Sequence, residues 1–522
     1  MTSVGPEALR TWIGDGRELA ILDAREEGEF GAGHLFWAVP CPLSRAELRL
    51  PVLLPWPGTR VVCVDDGGGL AERLAGLIEG MGGTDVHVLA GGVSGWAAAG
   101  FVVFTGVNVP SKAFGEWVEH EYGTQSVDAI ELQAWMDAGR DMVVLDSRPM
   151  DEFVRMSIPG GINVPGGELA YRVGDLVPDP ATTIVVNCAG RTRSIMGAES
   201  LRRAGVPNPV VALRNGTMGW QLAGLAVARG QTTRYPDGRP RTEALARQRA
   251  ATFAEEAGVG VIGVPDLVRF EDDAAAGPGG TLPGRTLYVL DVRDPSEFAR
   301  VHRPGSRNAP GGQLVQATDA WVAVRNARIA LIDDDGVRAR MAGAWLRLMG
   351  HKDVFAVEGG LAGTEDLPTP AMPSMDGVGI EAVEGALVVD LARSIDYRAG
   401  HIPGAVWGVR TQLAAVRDQL AGAGRVVITS PDGVLAGLAL EEVRGLTSAL
   451  VEVLAGGTTA WVAAGWPLES SRTVPTDEAC VDFYLRPYDR NSGVEVAMHA
   501  YLSWEIDLVR EIERDGTVAF GR

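Results

Sequence analysis

The chain has 522 residues, 46% hydrophobic and 22% charged, which is ordinary globular composition but too long for one core, so three or four domains are expected. A formal net charge of -20 makes nucleic-acid phosphate and anionic membranes poor partners, and any anion site must be local. There is no charged-then-apolar leader, no apolar run of about 18 residues and no Cys-x-x-Cys pair, so a cytoplasmic, reducing location is expected, with no disulfide framework and no metal.

In chain order, Ala20-Ile21-Leu22-Asp23 reads as a strand ending in an aspartate, and Leu70 to Ile78 carries helical spacing. Cys63 lies in a strand before the loop Asp65-Asp66-Gly67-Gly68-Gly69 and reads as buried and inert, while Cys41 has no supporting neighbours. Pro110 to Tyr122, with Phe114, Trp117 and Val118 on one face, looks like a helical clamp between this unit and the next. Val143-Val144-Leu145-Asp146 is a second aspartate-ended strand, and Thr183 to Val186 is a buried parallel strand leading into Asn187-Cys188-Ala189-Gly190-Arg191-Thr192-Arg193-Ser194. A helix follows from Ile195. Thr233 to Gly258 reads as a turn and a connecting helix that separates the chain into two pairs of domains. Tyr288-Val289-Leu290-Asp291 and Leu387-Val388-Val389-Asp390 repeat the opening strand, and Ala342 to Met349 is helical. The tail from Ser471 carries Cys480, the aromatics Phe483, Tyr484, Tyr488, Tyr501 and Trp504, and an amphipathic run that stops at Asp515-Gly516. Such a helix docks on its own protein or forms the seam of a homodimer.

Cys188 stands out because a strand's carboxyl end and a helix's amino end meet there, where open α/β sheets bind anions. A helix N-terminus and nearby arginines stabilise a thiolate over a thiol. Arg191 and Arg193 are an odd way to finish a buried core, so the loop reads as chemical, not structural.

The opening strands mark an internal repeat. In the first three copies the aspartate begins Asp-x-Arg-x-x-x-Glu-Phe, ending at Phe30, Phe153 and Phe298; the fourth is blurred to Asp390, Arg393, Asp396 and Tyr397. The separations Asp23 to Gly67, Asp146 to Gly190, Asp291 to Gly336 and Asp390 to Gly433 are nearly equal. Each copy then closes on a glycine turn: Gly91 to Trp96, Asn215 to Trp220, Gly359 to Thr364 and Gly456 to Trp461. Strand alternating with helix implies a parallel sheet covered on both faces, and each copy is long enough to stand alone as a domain.

Together, the Asp-x-Arg start, the turn His401-Ile402-Pro403-Gly404-Ala405, the cysteine-glycine-arginine loop and the closing Gly-Gly-x-x-x-Trp resemble rhodanese domains, sulfurtransferases that carry sulfane sulfur on a cysteine persulfide. The resemblance implies four tandem α/β domains over residues 1–105, 106–232, 258–370 and 371–470, with a connecting helix at 233–257 and a tail at 471–522. Aligned on the loop glycine, the cysteine position holds Asp65, Cys188, Asp334 and Pro431, so only the second copy is expected to react. The second copy departs at Met156-Ser157-Ile158-Pro159-Gly160-Gly161, which replaces the histidine turn.

Carried onto matching residues, the resemblance implies that Cys188 attacks the outer sulfur of an anionic donor such as thiosulfate, that the amides from Ala189 through Gly190, Arg191, Thr192 and Arg193 to Ser194 hold the persulfide, and that a thiol, cyanide or a protein acceptor removes it. Arg191 or Arg193 would grip the donor's oxyanion while the other braces the loop. Asp146 and Arg148 are expected to pair as supports, and no cofactor is implied. Rival readings are a cysteine-dependent phosphatase or arsenate reductase, whose loops place arginine one residue later than Arg193, and a sulfur-responsive scaffold built on the inactive copies. His34, His302 and His401 recur at one turn and read as packing residues, and Trp96, Trp220 and Trp461 as core plugs.

Overall fold

The computed structural model describes residues 2–275, 284–362 and 376–521; Gly363 and Thr364, the end of the third closing turn, lie outside the described residues. Each aspartate-ended run becomes an inner strand of its own sheet, because β-branched residues buried on both faces suit parallel pairing. The second sheet runs Ser126–Val127, Val210–Leu213, Thr183–Asn187, Met142–Asp146, Ile162–Asn163, all parallel. The third repeats this order with Gly260–Gly263, Asp353–Glu358, Arg328–Ile332, Leu287–Asp291 and Arg307–Asn308. The fourth runs Leu450–Val453, Arg425–Thr429, Leu387–Asp390, Val406–Trp407, with a single bridge from Val378 to Leu454 where the first edge strand would lie. In the first sheet Leu19–Asp23 pairs with Arg60–Val64 and Ala38–Pro40, and its beginning also pairs antiparallel with Val324–Arg325, a strand of the third repeat.

Strand register corrects two of the aligned positions. Asp23, Asp146, Asp291 and Asp390 pair with Val64, Asn187, Ile332 and Thr429, so the residues that follow, Asp65, Cys188, Asp333 and Ser430, are equivalent. Asp334 and Pro431 lie one residue further on. The loops differ in length before their glycine: Gly67 and Gly190 lie two residues past the position, Gly336 and Gly433 three. The glycine is therefore not a fixed landmark.

The first three repeats share part of their apolar packing. One apolar cluster joins the first three repeats, the connecting helix and the tail through Phe104, Met196, Phe253, Trp345, Leu508 and Phe520. The connecting helix, Glu243–Ala257, does not separate domain pairs; it packs between Leu169–Leu176 of the second repeat and Arg338–Leu348 of the third. The expected clamp is Val109–Tyr122, and it reaches beyond the first two copies: it lies against Thr192–Arg203 and the C-terminal helix Val494–Asp515, and Phe114 meets Trp345 at 6.0 Å and Phe520 at 5.0 Å. The C-terminal helix buries Met498, Leu502, Leu508 and Ile512 in its own chain, so the face read as a homodimer seam is already covered. The fourth repeat keeps its own cores and docks on the first through Arg410 to Glu47 at 2.8 Å and Thr411 to Glu26 at 2.8 Å.

The recurrent aromatic residues do the same job wherever they occur. Trp96, Trp220 and Trp461 are buried, and each indole N–H donates to a carbonyl six residues on, at 2.9 Å. His34, His302 and His401 stack on Phe30, Phe298 and Tyr397 with ring centres 3.9, 4.2 and 3.7 Å apart. Burial pulls His34 down to about 4, so it is neutral and structural.

Candidate active site

The strand Thr183–Asn187 is wholly buried and delivers Cys188 to the carboxyl edge of the sheet. The loop is pinned from the next repeat turn: the carbonyl of Cys188 accepts from Thr217 N at 2.8 Å and Thr217 Oγ1 at 3.1 Å, and that of Ala189 accepts from Met218 N at 2.9 Å. This close approach requires Gly216, at φ +53°, because a Cβ there would sit 2.7 Å from the Gly190 carbonyl oxygen and closer still to that of Cys188. Gly216→Ala is expected to cost about 1–3 kcal/mol of stability as the loop is displaced, read as a lower thermal midpoint.

Cys188 is 2% exposed, and its thiol lies 3.5 Å from Ser194 Oγ, which itself donates to the Arg191 carbonyl at 2.8 Å. The helix Thr192–Arg203 starts directly behind the loop. Among the described residues, the backbone N–H groups of Ala189, Gly190, Arg191, Thr192 and Arg193 have no acceptor, whereas that of Ser194, expected in the same cradle, is taken up by the Arg191 carbonyl at 3.1 Å. The equivalent loops are filled by their own carboxylates. Asp65 accepts from the amides of Gly67, Leu70 and Ala71, and Asp333 from those of Gly336 and Ala339. In the fourth repeat Ser430 Oγ accepts from Ala436 N and Asp432 from Val434 N. Among the described residues, the loop around Cys188 is the one of the four that leaves five consecutive amides without an acceptor.

Asp146 and Arg148 form a buried pair at 2.7 and 2.8 Å; Arg148 also donates to the Met156 carbonyl at 2.8 Å, and Asn187 Nδ2 to Asp146 at 2.7 Å. The pair thus ties the strand end beside Cys188 to the turn that lost its histidine. Asp23–Arg25 and Asp291–Arg293 repeat it with the carbonyls of Gly33 and Val301. The blurred fourth copy loses it: Arg393 bonds Asp396, one oxygen of Asp390 has no partner, and burial pushes Asp390 up to about 6.

Both loop arginines are engaged by carboxylates. Arg191 donates to Glu116 at 2.8 Å twice, to Glu119, and to Asn215 at 3.3 Å. Burial, with Glu505 and Glu119 nearby, pulls Glu116 up to about 7 despite Arg191. Arg193 grips Glu152 with two bonds of 2.8 Å. Burial opposes charge on both partners, yet Arg193, then Arg486 and Arg148, draw Glu152 down to about 2, and Glu152 followed by Cys188 holds Arg193 above its usual range. Neither guanidinium is a free hand for a donor; both tie the loop to neighbouring elements.

Residues outside the repeat complete the site. The cavity at Cys188 has a volume of about 90 Å³, well below the roughly 300–1,000 Å³ typical of organic-ligand pockets, so it has room only for a small ligand. Its walls include Lys112 from the clamp helix, Gln316 from the third repeat, and Tyr484, Arg486, Tyr488, Tyr501 and Glu505 from the tail. Lys112 donates to Glu505 at 2.9 Å and to Tyr501; burial works against its charge, but Glu505 and Tyr501 keep it protonated. Glu505 Oε1 also accepts from Thr192 Oγ1 at 3.3 Å. The tail's aromatic cluster was visible in the sequence, but nothing there tied it to Cys188.

Three comparisons bear on this geometry. The model of the rhodanese-like domain family matches residues 5–99, 128–223 and 280–366; the fourth copy, outside those matches, keeps the same strand order. A thiosulfate sulfurtransferase from Pseudomonas aeruginosa, of known structure, is 44% identical, with 100% of this chain and 99% of that one covered at a TM-score of 0.90. The HTH-type transcriptional regulator Rv0324 of Mycobacterium tuberculosis (strain ATCC 25618 / H37Rv) is 34% identical over 113 residues, 22% of this chain and 48% of that protein. The chain thus spans about half the length of that curated relative.

Proposed function

Since the chain belongs to the rhodanese-like domain family and is built as four tandem units of that type, we propose that it is a thiosulfate sulfurtransferase that carries sulfur as a persulfide on Cys188. The observation that carries this reading is the open cradle of five amides around Cys188, set against equivalent loops closed by Asp65 and Asp333. An anionic sulfur needs donors fixed in advance, and backbone N–H groups at a helix start provide them without reorganisation. The Pseudomonas aeruginosa protein, similar along its whole length, supports thiosulfate as the donor.

The Cys188 thiolate attacks the outer sulfur of thiosulfate; a new S–S bond forms, the donor's S–S bond breaks, and its electron pair leaves with sulfite. The persulfide's terminal sulfur rests on the amides from Ala189 to Arg193, with Arg193 adding positive potential. A thiolate or cyanide then attacks that terminal sulfur, and Cys188 leaves as thiolate. Arg191 and Arg193, held by Glu116 and Glu152, keep the loop in the shape this cycle needs.

Intact mass measured after thiosulfate treatment and removal of excess donor tests the reading. Gain of one sulfur atom, lost again on adding cyanide with release of thiocyanate, is expected. No gain, together with turnover of an aryl phosphate, would transfer the site to the phosphatase class. The engagement of both arginines by carboxylates speaks against that class, which needs a free guanidinium inside the loop.

A further inference from the structure

Six cationic side chains line the Cys188 cavity: Lys112, Arg148, Arg155, Arg191, Arg193 and Arg486. Five are paired at close range, with Glu505, Asp146, Asp489, Glu116 and Glu152 at 2.9, 2.7, 2.8, 2.8 and 2.8 Å. Among the described residues the Arg486 guanidinium has no ion-pair partner. It is exposed at the cavity mouth, near enough to Glu152 and Glu27 to favour the charged form of each without bonding either. Two residues on, the hydroxyl of Tyr488 is buried in the cavity wall with no hydrogen-bond partner, and its charge interactions reach Arg148 and Cys188. A buried hydroxyl without a partner is costly unless something arrives to meet it.

The segment that carries both is firmly placed. Arg155 of the second repeat donates to the Tyr488 carbonyl at 2.7 Å and to Asp489 at 2.8 Å, and Glu27 of the first accepts from Tyr484 N at 3.2 Å. The short 3₁₀ turn Pro487–Asp489 fixes the spacing between the two side chains.

We propose that Arg486 and Tyr488 are the donor-recognition pair of this enzyme: the Arg486 guanidinium receives the sulfonate oxygens of thiosulfate and the Tyr488 hydroxyl donates to one of them, leaving the outer sulfur toward Cys188. The assignment rests on the persulfide reading above. A donor with two negative charges must enter a cleft already lined by Glu152 and Glu505, and Arg486 is the cation free to offset them. Once the donor's S–S bond breaks, sulfite leaves along the exposed Arg486 side.

The experiment is the rate of sulfur loading on Cys188, followed by intact mass across thiosulfate concentrations, in wild type, R486Q, R486K and Y488F. R486Q is expected to load about tenfold more slowly at low thiosulfate and to recover at high thiosulfate, with sulfite inhibition weakened by a similar factor. R486K regains part of the loss, since a point charge replaces a fork, and Y488F loses a few-fold. Discharge of preloaded R486Q to uncharged dithiothreitol slows far less than loading does, which a merely structural residue would not show. Wild-type loading and sulfite inhibition in both R486Q and Y488F overturn the proposal alone, as does equal slowing of loading and discharge. Failure of wild type itself to load overturns the sulfurtransferase reading, and the pair with it.

Discussion

Cys188→Ser abolishes sulfur uptake: thiosulfate leaves the mass of the variant unchanged, and transfer to cyanide falls by at least about a thousandfold. The size of the effect follows from the state of the other cysteines. Cys41 and Cys63 are fully buried, and burial pushes the Cys41 thiol up to about 12 and the Cys63 thiol higher still. Burial also raises Cys480, which lies in the tail. None is available as thiolate near neutral pH, and none faces an open amide cradle. A serine hydroxyl in place of the thiol would meet the same donors but hold neither the negative charge nor the sulfur. Uptake of sulfur by the variant at the wild-type rate would place the chemistry on another residue and end the case for this loop.

Arg338→Ala produces the largest loss of stability, about 3–5 kcal/mol, seen as a lower denaturant midpoint. Arg338 is fully buried where the second and third repeats meet and bonds four carboxylates: Asp335 at 2.6 Å, Glu168 at 2.7 Å, Asp334 at 2.9 Å, and Glu297. Removing it leaves a buried anionic cluster without its cation. Asp335 gives the pH signature. Burial favours its neutral form, but Arg338 and the amides of Val337 and Arg338 draw its pKa below the usual value. A carboxyl depressed in the folded state contributes stability above its unfolded pKa, near 4, and loses it as pH falls toward the folded value. The gap between wild type and Arg338→Ala therefore widens from acid toward neutral pH. A gap that is flat from pH 4 to pH 7 would show that lost packing, not charge, accounts for the loss.

The fold was legible in the sequence because each repeat announces itself by local rules: a β-branched run ending in aspartate, a glycine loop, a helix. Asp-x-Arg recurs because the arginine must reach back to its aspartate and on to a carbonyl eight residues later, as at Arg25, Arg148 and Arg293. Cys188 was legible because strand end, thiol and helix start are adjacent in the chain. The register of the third loop could also have been found there, since Asp333 lies as far from Asp291 as Cys188 does from Asp146. What could not be read were contacts between distant segments. Glu116 and Glu152 claim the loop arginines across 75 and 41 residues, and Glu505 reaches Lys112 across 393. No spacing rule encodes such meetings; they arise from how the repeats pack on one another and on the tail.

The two-residue strand Val324–Arg325 closes the edge of the first sheet at Leu19 and Ala20. Synthesis proceeds from the amino end, so the first repeat emerges long before the strand that finishes it. Until residue 325 is made, the start of Leu19–Asp23 keeps open backbone groups, a template for pairing with another nascent chain. The order in which the repeats are translated is therefore not the order in which they are completed, and a chain cut after its second unit would carry that open edge permanently.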